Sequence, residues 1–203
     1  MKEHTYEGKN EEELVKEAYK DLSVDQSNSY YYVTKEKVGL LKKEVVTIHM
    51  VTQEEVIEFI KDYLTKLTND MGIKTTMETA VRDDHIIIRM FSDNDSLLIG
   101  YEGRTLKALT LVLKQVINNQ IHQNLNINLD VSNYQEKRDK RIERLAKNIA
   151  REVEQTKNPV TMENMNSYER RIVHNILADS DKVYTKSEGE EPNRHVIVYP
   201  KES

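Results

Sequence analysis

The 203 residues include no cysteine, which excludes disulfides, thiol catalysis and cysteine-based zinc sites. A long apolar run is also missing, since no stretch approaches the ~20 residues needed to cross a bilayer. With 37% hydrophobic and 32% charged residues, the chain reads as a soluble, strongly charged protein with no integral membrane segment. The first residues, MKEHTYEGKNEEELVKE, have no apolar signal core, so the expected location is cytoplasmic. There is no general surplus of positive charge either. The net charge is −5, and residues 1–62 hold 14 acidic against 9 basic side chains, so the rest of the chain is neutral. Such a chain does not coat nucleic acid through its global field. A nucleic-acid site is therefore expected to be local and to lie in the C-terminal two thirds.

The parts of an enzyme site are not assembled in the sequence. His4, His49, His85, His122, His174 and His195 are scattered and form no H-E-x-x-H pair. Glu188, Glu190 and Glu191 fall in a Gly-Pro turn, where a solvated acidic loop is the better reading than a metal site. The one glycine motif lacks the Lys and Ser/Thr of a nucleotide-binding P-loop. No catalytic residue, metal site or cofactor is expected, and the function is that of a binder.

Hydrophobic spacing organises what is present. In residues 11–22, Leu14, Val15, Ala18, Tyr19 and Leu22 recur at helical spacing between acidic residues. The Tyr-, Val- and Thr-rich stretch YYYVTKEKVGLLKKEVVTIHMV then reads as two or more strands broken near Gly39. Thr52 and Glu55 have the spacing of a capping box, and Val56, Ile60, Tyr63, Leu64, Leu67 and Met71 continue as a helix with almost no linker before it. KTTMETAV and HIIIRMF, joined across RDD, read as a hairpin. A short helical turn, SLLI, follows. After it come Gly100 and Gly103, a helix with Leu106, Leu109, Leu113, Val116 and Ile117 on one face, and the alternating strand NLNINLDV. Residues 135–156 are the clearest helix. Ile142, Leu145, Ile149 and Val153 form its apolar stripe, and Lys137, Lys140, Arg144, Lys147 and Arg151 lie within roughly 80° of arc on the opposite face. Pro159 helps end it; SYERRIVHNILAD is a further helix, and KVYTK and RHVIVYP are strands joined by SEGEEPN.

Two motifs carry chemistry. Gly100 and Gly103 enclose Tyr101 and Glu102, with Arg104 and Lys107 following. Glycine there either connects two packed helices or opens the backbone so that a phosphate can approach its N–H groups. Arg170 and His174 are four residues apart on one helix face with Arg171 alongside. Arginine grips phosphate bidentately and histidine donates from one or both ring nitrogens. A bare R-x-x-x-H more often marks a solvated face, and the basic face of residues 135–156 could equally be simple solvation.

The order from Thr52 to Val131, helix, strand, strand, short helix, Gly-x-x-Gly, helix, strand, resembles a KH domain of the type II arrangement. That resemblance implies a loop addressing about four nucleotides of single-stranded RNA, with Gly100, Tyr101, Glu102, Gly103, Arg104 and Lys107 at the site. KH loops commonly carry a basic residue between the glycines. Here Glu102 stands there, repulsive to phosphate and offset only by Arg104. MNSYERRIVHNIL followed by TKSEGEEPNRHVIVYP resembles the R-three-H domain, in which Arg170 and His174 occupy the defining positions and single-stranded nucleic acid is the ligand.

A KH domain followed by an R-three-H domain resembles the Jag family, also called KhpB, of bacterial RNA-binding proteins. GKNEEELVKEAYKDL is similar to the start of that family's N-terminal module, and VGLLKK is a degenerate match to its Phe- and Gly-rich turn. The implied fold is α+β in three small modules: a Jag N-terminal module over 1–51, a KH domain over 52–133 and an R-three-H domain over 134–203. The resemblance also implies roles in cell elongation, division or sporulation, a small single-KH protein as partner, and an association with the membrane-insertase pathway. A scaffold in which the KH surface is a dimer interface, giving a homo-oligomer with little RNA contact, is the competing reading.

Overall fold

The computed structural model describes residues 1–38 and 43–201, divided into two compact units, Met1–Ser132 and Asn133–Ser203. In the first unit, the acidic helix expected near the start is α1 (Glu11–Leu22). Asn10 caps it by accepting from the Glu12 N–H, and three glutamates occupy its positive N-terminal end. Its buried Leu14 and Ala18 pack on Val46, Ile48 and Met50. Those three belong to β3 (Lys43–Thr52), the central strand of an antiparallel sheet in the order β1-β3-β2, with β1 His4–Gly8 and β2 Ser29–Val38. β1 was not anticipated from the sequence. The break near Gly39, within VGLLKK, lies outside the described residues.

β3 runs directly into α2 (Gln53–Asp70) through the expected capping box: Thr52 Oγ1 accepts from the Glu55 N–H, and a Glu55 carboxylate oxygen accepts from the Thr52 N–H. The buried face of α2 is Val56, Ile60, Leu64 and Thr68, whereas Met71 is exposed at the helix end. The hairpin is β4 (Thr75–Arg82) and β5 (His85–Ser92), turned by Asp83 and Asp84, both at positive φ as a tight two-residue hairpin turn requires. After α3 (Asp95–Ile99) and α4 (Arg104–Ile121), β6 (Asn126–Val131) joins β5 in parallel, giving the order β4-β5-β6. Ile86, Ile88, Met90, Ile127, Leu129 and Val131 alternate into the core with Leu106, Leu113, Ile117 and Ile121 of α4.

The two sheets of this unit are tied together at the β3–α2 junction and at the C-terminal end of α4. His4 Nε2 of β1 lies 2.7 Å from Glu55 Oε1, the Gln53 N–H donates to the Asn28 carbonyl, and Tyr32 of β2 meets the His122 ring at 4.3 Å. Burial works against the charged form of Glu55, but hydrogen bonds from the Thr52 backbone and His4 outweigh it, and the carboxyl titrates below its ordinary value.

In the second unit, α5 (Tyr134–Thr156) and α6 (Ser167–Leu177) pack on a sheet in the order β7-β9-β8, with β7 Val160–Asn164, β8 Val183–Glu188 and β9 His195–Pro200. β7 is a second short strand that the sequence reading did not contain. The buried stripe of α5 is Ile142, Ala146, Ile149 and Val153. Leu145, expected in that stripe, is instead 38% exposed. Residues 145 and 146 both fit a three-or-four spacing, and the smaller Ala146 is the one that allows the close approach of α5 to its neighbours.

Candidate nucleic-acid interface

The Gly-x-x-Gly turn is a single 3-10 turn, Tyr101–Gly103, set between α3 and α4. Gly100 (φ 70, ψ −179) and Gly103 (φ 76) occupy backbone regions that side chains disfavour. A Cβ on Gly100 would fall 2.1 Å from Thr105 Oγ1, so the first glycine is required by space as well as by conformation. Glu102 also has positive φ, at 52, which for a non-glycine residue costs about 1–2 kcal/mol. The turn closes on itself through Gly103 N–H to Gly100 O and Arg104 N–H to Tyr101 O. No side chain caps α4, whose N-terminus therefore faces the turn with the positive end of its dipole.

The side chains here point outward. Tyr101 is 73% exposed, with the Arg104 guanidinium 5.2 Å from its ring centroid. Arg104 also lies 3.8 Å from Glu102, so the carboxylate that would oppose a phosphate is partly neutralised within the loop. Lys107 is exposed one turn further along α4. Leu97 of α3 and Leu111 and Val112 of α4 are exposed as well.

The R-x-x-x-H helix is arranged in the opposite manner. α6 begins in a capping box in which Asn166 Oδ1 accepts from the Tyr168 and Glu169 N–H groups and Glu169 accepts from the Asn166 N–H. The other Glu169 oxygen takes a 2.8 Å bond from Arg138 Nε, joining α6 to α5 through a nearly buried ion pair. Arg170 is itself buried. One guanidinium nitrogen donates to the Met165 carbonyl at 2.7 Å and to Glu191 Oε1 at 2.9 Å. His174 has both ring nitrogens within hydrogen-bond distance of hydroxyls on β8, Nδ1 to Thr185 Oγ1 at 2.6 Å and Nε2 to Ser187 Oγ at 2.8 Å. Burial, and then the charge of Arg170, lower its pKa from the ordinary 6.5. Arg171, by contrast, is exposed.

Sequence reasoning did not identify Arg138, Glu169, Thr185, Ser187 or Glu191 as the setting of this pair. A usable signal existed for Glu169, because Asn166 and Glu169 have capping-box spacing, and for the burial of Arg170, which shares the helical stripe of Val173 and Leu177. Glu188 accepts from the Tyr199 hydroxyl and Glu191 pairs with Arg170, so these two turn carboxylates are engaged in protein contacts. On α5, Lys137, Lys140, Arg144, Lys147 and Arg151 are all exposed along one face. Lys140 is tied to Glu136, whose hydrogen bond raises the Lys140 pKa.

Among the described residues no helix is long and apolar enough to cross a membrane, and no group of three or more His, Asp or Glu could hold a metal ion. Residues 57–131 match the family model for the KH domain of KhpA/KhpB, and residues 140–200 match the model of the R-three-H domain. The chain is 37% identical to the RNA-binding protein KhpB of Clostridium symbiosum over 146 residues, 72% of this chain and 65% of that protein. It is 31% identical to the protein of the same name from Lactiplantibacillus plantarum over 153 residues, 75% of this chain and 48% of that one. The corresponding protein of Bacillus subtilis is 27% identical over 204 residues, 98% of each chain. The matches thus span under two thirds of the first two relatives and nearly all of the third. With its Gly-x-x-Gly turn inside the KH match and its R-x-x-x-H helix inside the R-three-H match, the chain belongs to the Jag/KhpB family.

Proposed function

We propose that this protein binds single-stranded RNA without catalysing a reaction on it, using the Gly-x-x-Gly turn and the R-x-x-x-H unit together. The observation that carries this reading is the pairing of two structurally independent features in one chain. One is an uncapped helix N-terminus behind an open glycine turn; the other is α6 and its exposed Arg171, in the same unit as the exposed cationic face of α5. The relatives' name, RNA-binding protein KhpB, supports it. We read three modules, 1–51, 52–133 and 134–203, of which the last two contact RNA. Engagement of one strand by both raises the combined affinity above that of either alone. The protein acts in the cytoplasm as a post-transcriptional regulator linked to cell elongation, division or sporulation.

Filter binding of the full chain to a single-stranded RNA over a salt series tests this. Saturable binding that weakens as salt rises is expected, and an equal affinity for RNA and for a neutral control polymer overturns it.

Exposed Leu97, Leu111 and Val112 favour a second reading, in which the KH module docks another copy or a small single-KH protein. Light scattering with and without RNA separates the two. The scaffold reading expects an oligomer that RNA leaves unchanged.

A further inference from the structure

The sheet of the second unit has two faces, and the R-x-x-x-H helix uses only one. β8 is an edge strand whose residues alternate: Val183, Thr185 and Ser187 face α6, and Tyr184, Lys186 and Glu188 face away. On the outward face Tyr184 stands directly opposite Tyr199 of β9. Their rings are stacked with centroids 5.2 Å apart and planes 14° from parallel. The Lys186 ammonium lies 5.7 Å from one centroid and 5.6 Å from the other, and among the described residues it forms no ion pair. Tyr184 is 38% exposed.

We propose that Tyr184, Tyr199 and Lys186 form a stacking site for an unpaired base of single-stranded RNA, with Lys186 meeting the adjoining phosphate. This rests on the RNA-binding reading and adds a site to it. A stacked aromatic pair with one exposed ring, beside a cation that forms no ion pair among the described residues, matches the two halves of a nucleotide, a π-face and an anion, while the Glu188 carboxylate on the same face is engaged by the Tyr199 hydroxyl. Lys186 covers the rings in the free protein; moving to a phosphate uncovers ring surface for the base, and a stacked base outweighs an exposed cation–π contact. The edge position of β8 places this site and the hydroxyls around His174 on opposite sides of one strand. A single RNA strand crossing that edge reaches both. A protein ligand fits less well, because the face is small and its centre is charged.

The test titrates a fluorescent single-stranded RNA with the full chain over a salt series. Tyr184→Ala should weaken binding about tenfold with an unchanged salt slope, and Tyr184→Phe should stay within about twofold of the parent. Lys186→Ala should reduce the slope by about 1. Affinity for duplex RNA, whose bases are already stacked, should not respond to Tyr184→Ala. A parent chain that binds RNA while Tyr184→Ala binds it equally well overturns the stacking site alone, leaving the ring pair as a hairpin clasp or a protein-docking face. A parent chain with no RNA affinity overturns both readings. Photocrosslinking the unmutated chain to 4-thiouridine RNA avoids any folding defect of the variants. Crosslinks at Tyr184 or Tyr199 are expected, and crosslinks confined to other segments contradict the proposal.

Discussion

At the turn between α3 and α4 the backbone is constrained and the side chains are exposed; on α6 the side chains are constrained and the backbone is ordinary helix. Gly100 and Gly103 hold positive φ values and Gly100 has no room for a Cβ, while Tyr101 and Arg104 extend into solvent. Arg170 and His174 are each held by two hydrogen bonds inside the second unit. In the first site the backbone conformation is what is fixed, so its outward residues can change without loss of the fold. In the second, the residues that define the motif also hold the domain together. Loss of Arg170 therefore has two consequences, and a binding defect by itself does not separate them.

The largest effect is expected at the turn. Gly100→Ala should destabilise the first unit by about 2–4 kcal/mol, because it adds a positive-φ strain to a direct overlap with Thr105. Thermal unfolding followed by circular dichroism measures this, and a melting temperature unchanged from the parent would break the contrast with α6.

Arg170→Ala should cost about 1–3 kcal/mol of stability, since it leaves the Met165 carbonyl without its partner. It should also weaken RNA binding roughly tenfold and lower the salt slope by about 1. Glu191→Gln separates the two roles. The Glu191 side chain is 60% exposed, so the variant should fold normally while releasing Arg170 from a carboxylate that competes with phosphate. An affinity gain of a few-fold by fluorescence anisotropy is expected. A loss would mean that the Arg170–Glu191 pair itself is the binding-competent form.

A smaller gain, about threefold, is expected from Glu102→Arg, which replaces the carboxylate in the turn with the cation that KH loops commonly carry. An unchanged affinity and salt slope would remove the turn from the RNA site and leave the second unit as the sole contact.

The smallest effect concerns His174. Its pKa in the folded chain is lowered by burial and by Arg170, so between that value and about 6.5 the unfolded chain binds more protons than the folded one. Its contribution to stability is complete above about pH 6.5 and is lost as the pH falls toward the folded value. Melting curves of the parent and His174→Gln between pH 7.5 and 5.5 should therefore converge on acidification. Tightening of RNA binding by protonated His174 is shifted to the same lower range. Curves that stay parallel would place no titrating group at this position.

How much of this was legible depended on what fixed each feature. α1, α2, α4 and α5 announce themselves through apolar periodicity, and Thr52 and Glu55 through a local capping pattern. β1 and β7 do not, because HTYEG and VTMEN are short, polar edge strands whose identity comes from pairing with distant β3 and β9. Leu145 and Ala146 were ambiguous in spacing, and only the packing of α5 decides between them. At the sites, the sequence pointed to Arg170 and His174 as a pair. It did not reveal that Glu191, Thr185 and Ser187, on β8 and the turn after it, close around them. Those contacts depend on how β8 and α6 meet, which no local pattern encodes.

The most direct test of the account is the anisotropy of a fluorescent single-stranded RNA titrated with the full chain at several salt concentrations, alongside Glu191→Gln. Saturable binding with a negative log–log salt slope, strengthened by Glu191→Gln, is the predicted result. Absence of binding even at low salt would contradict it.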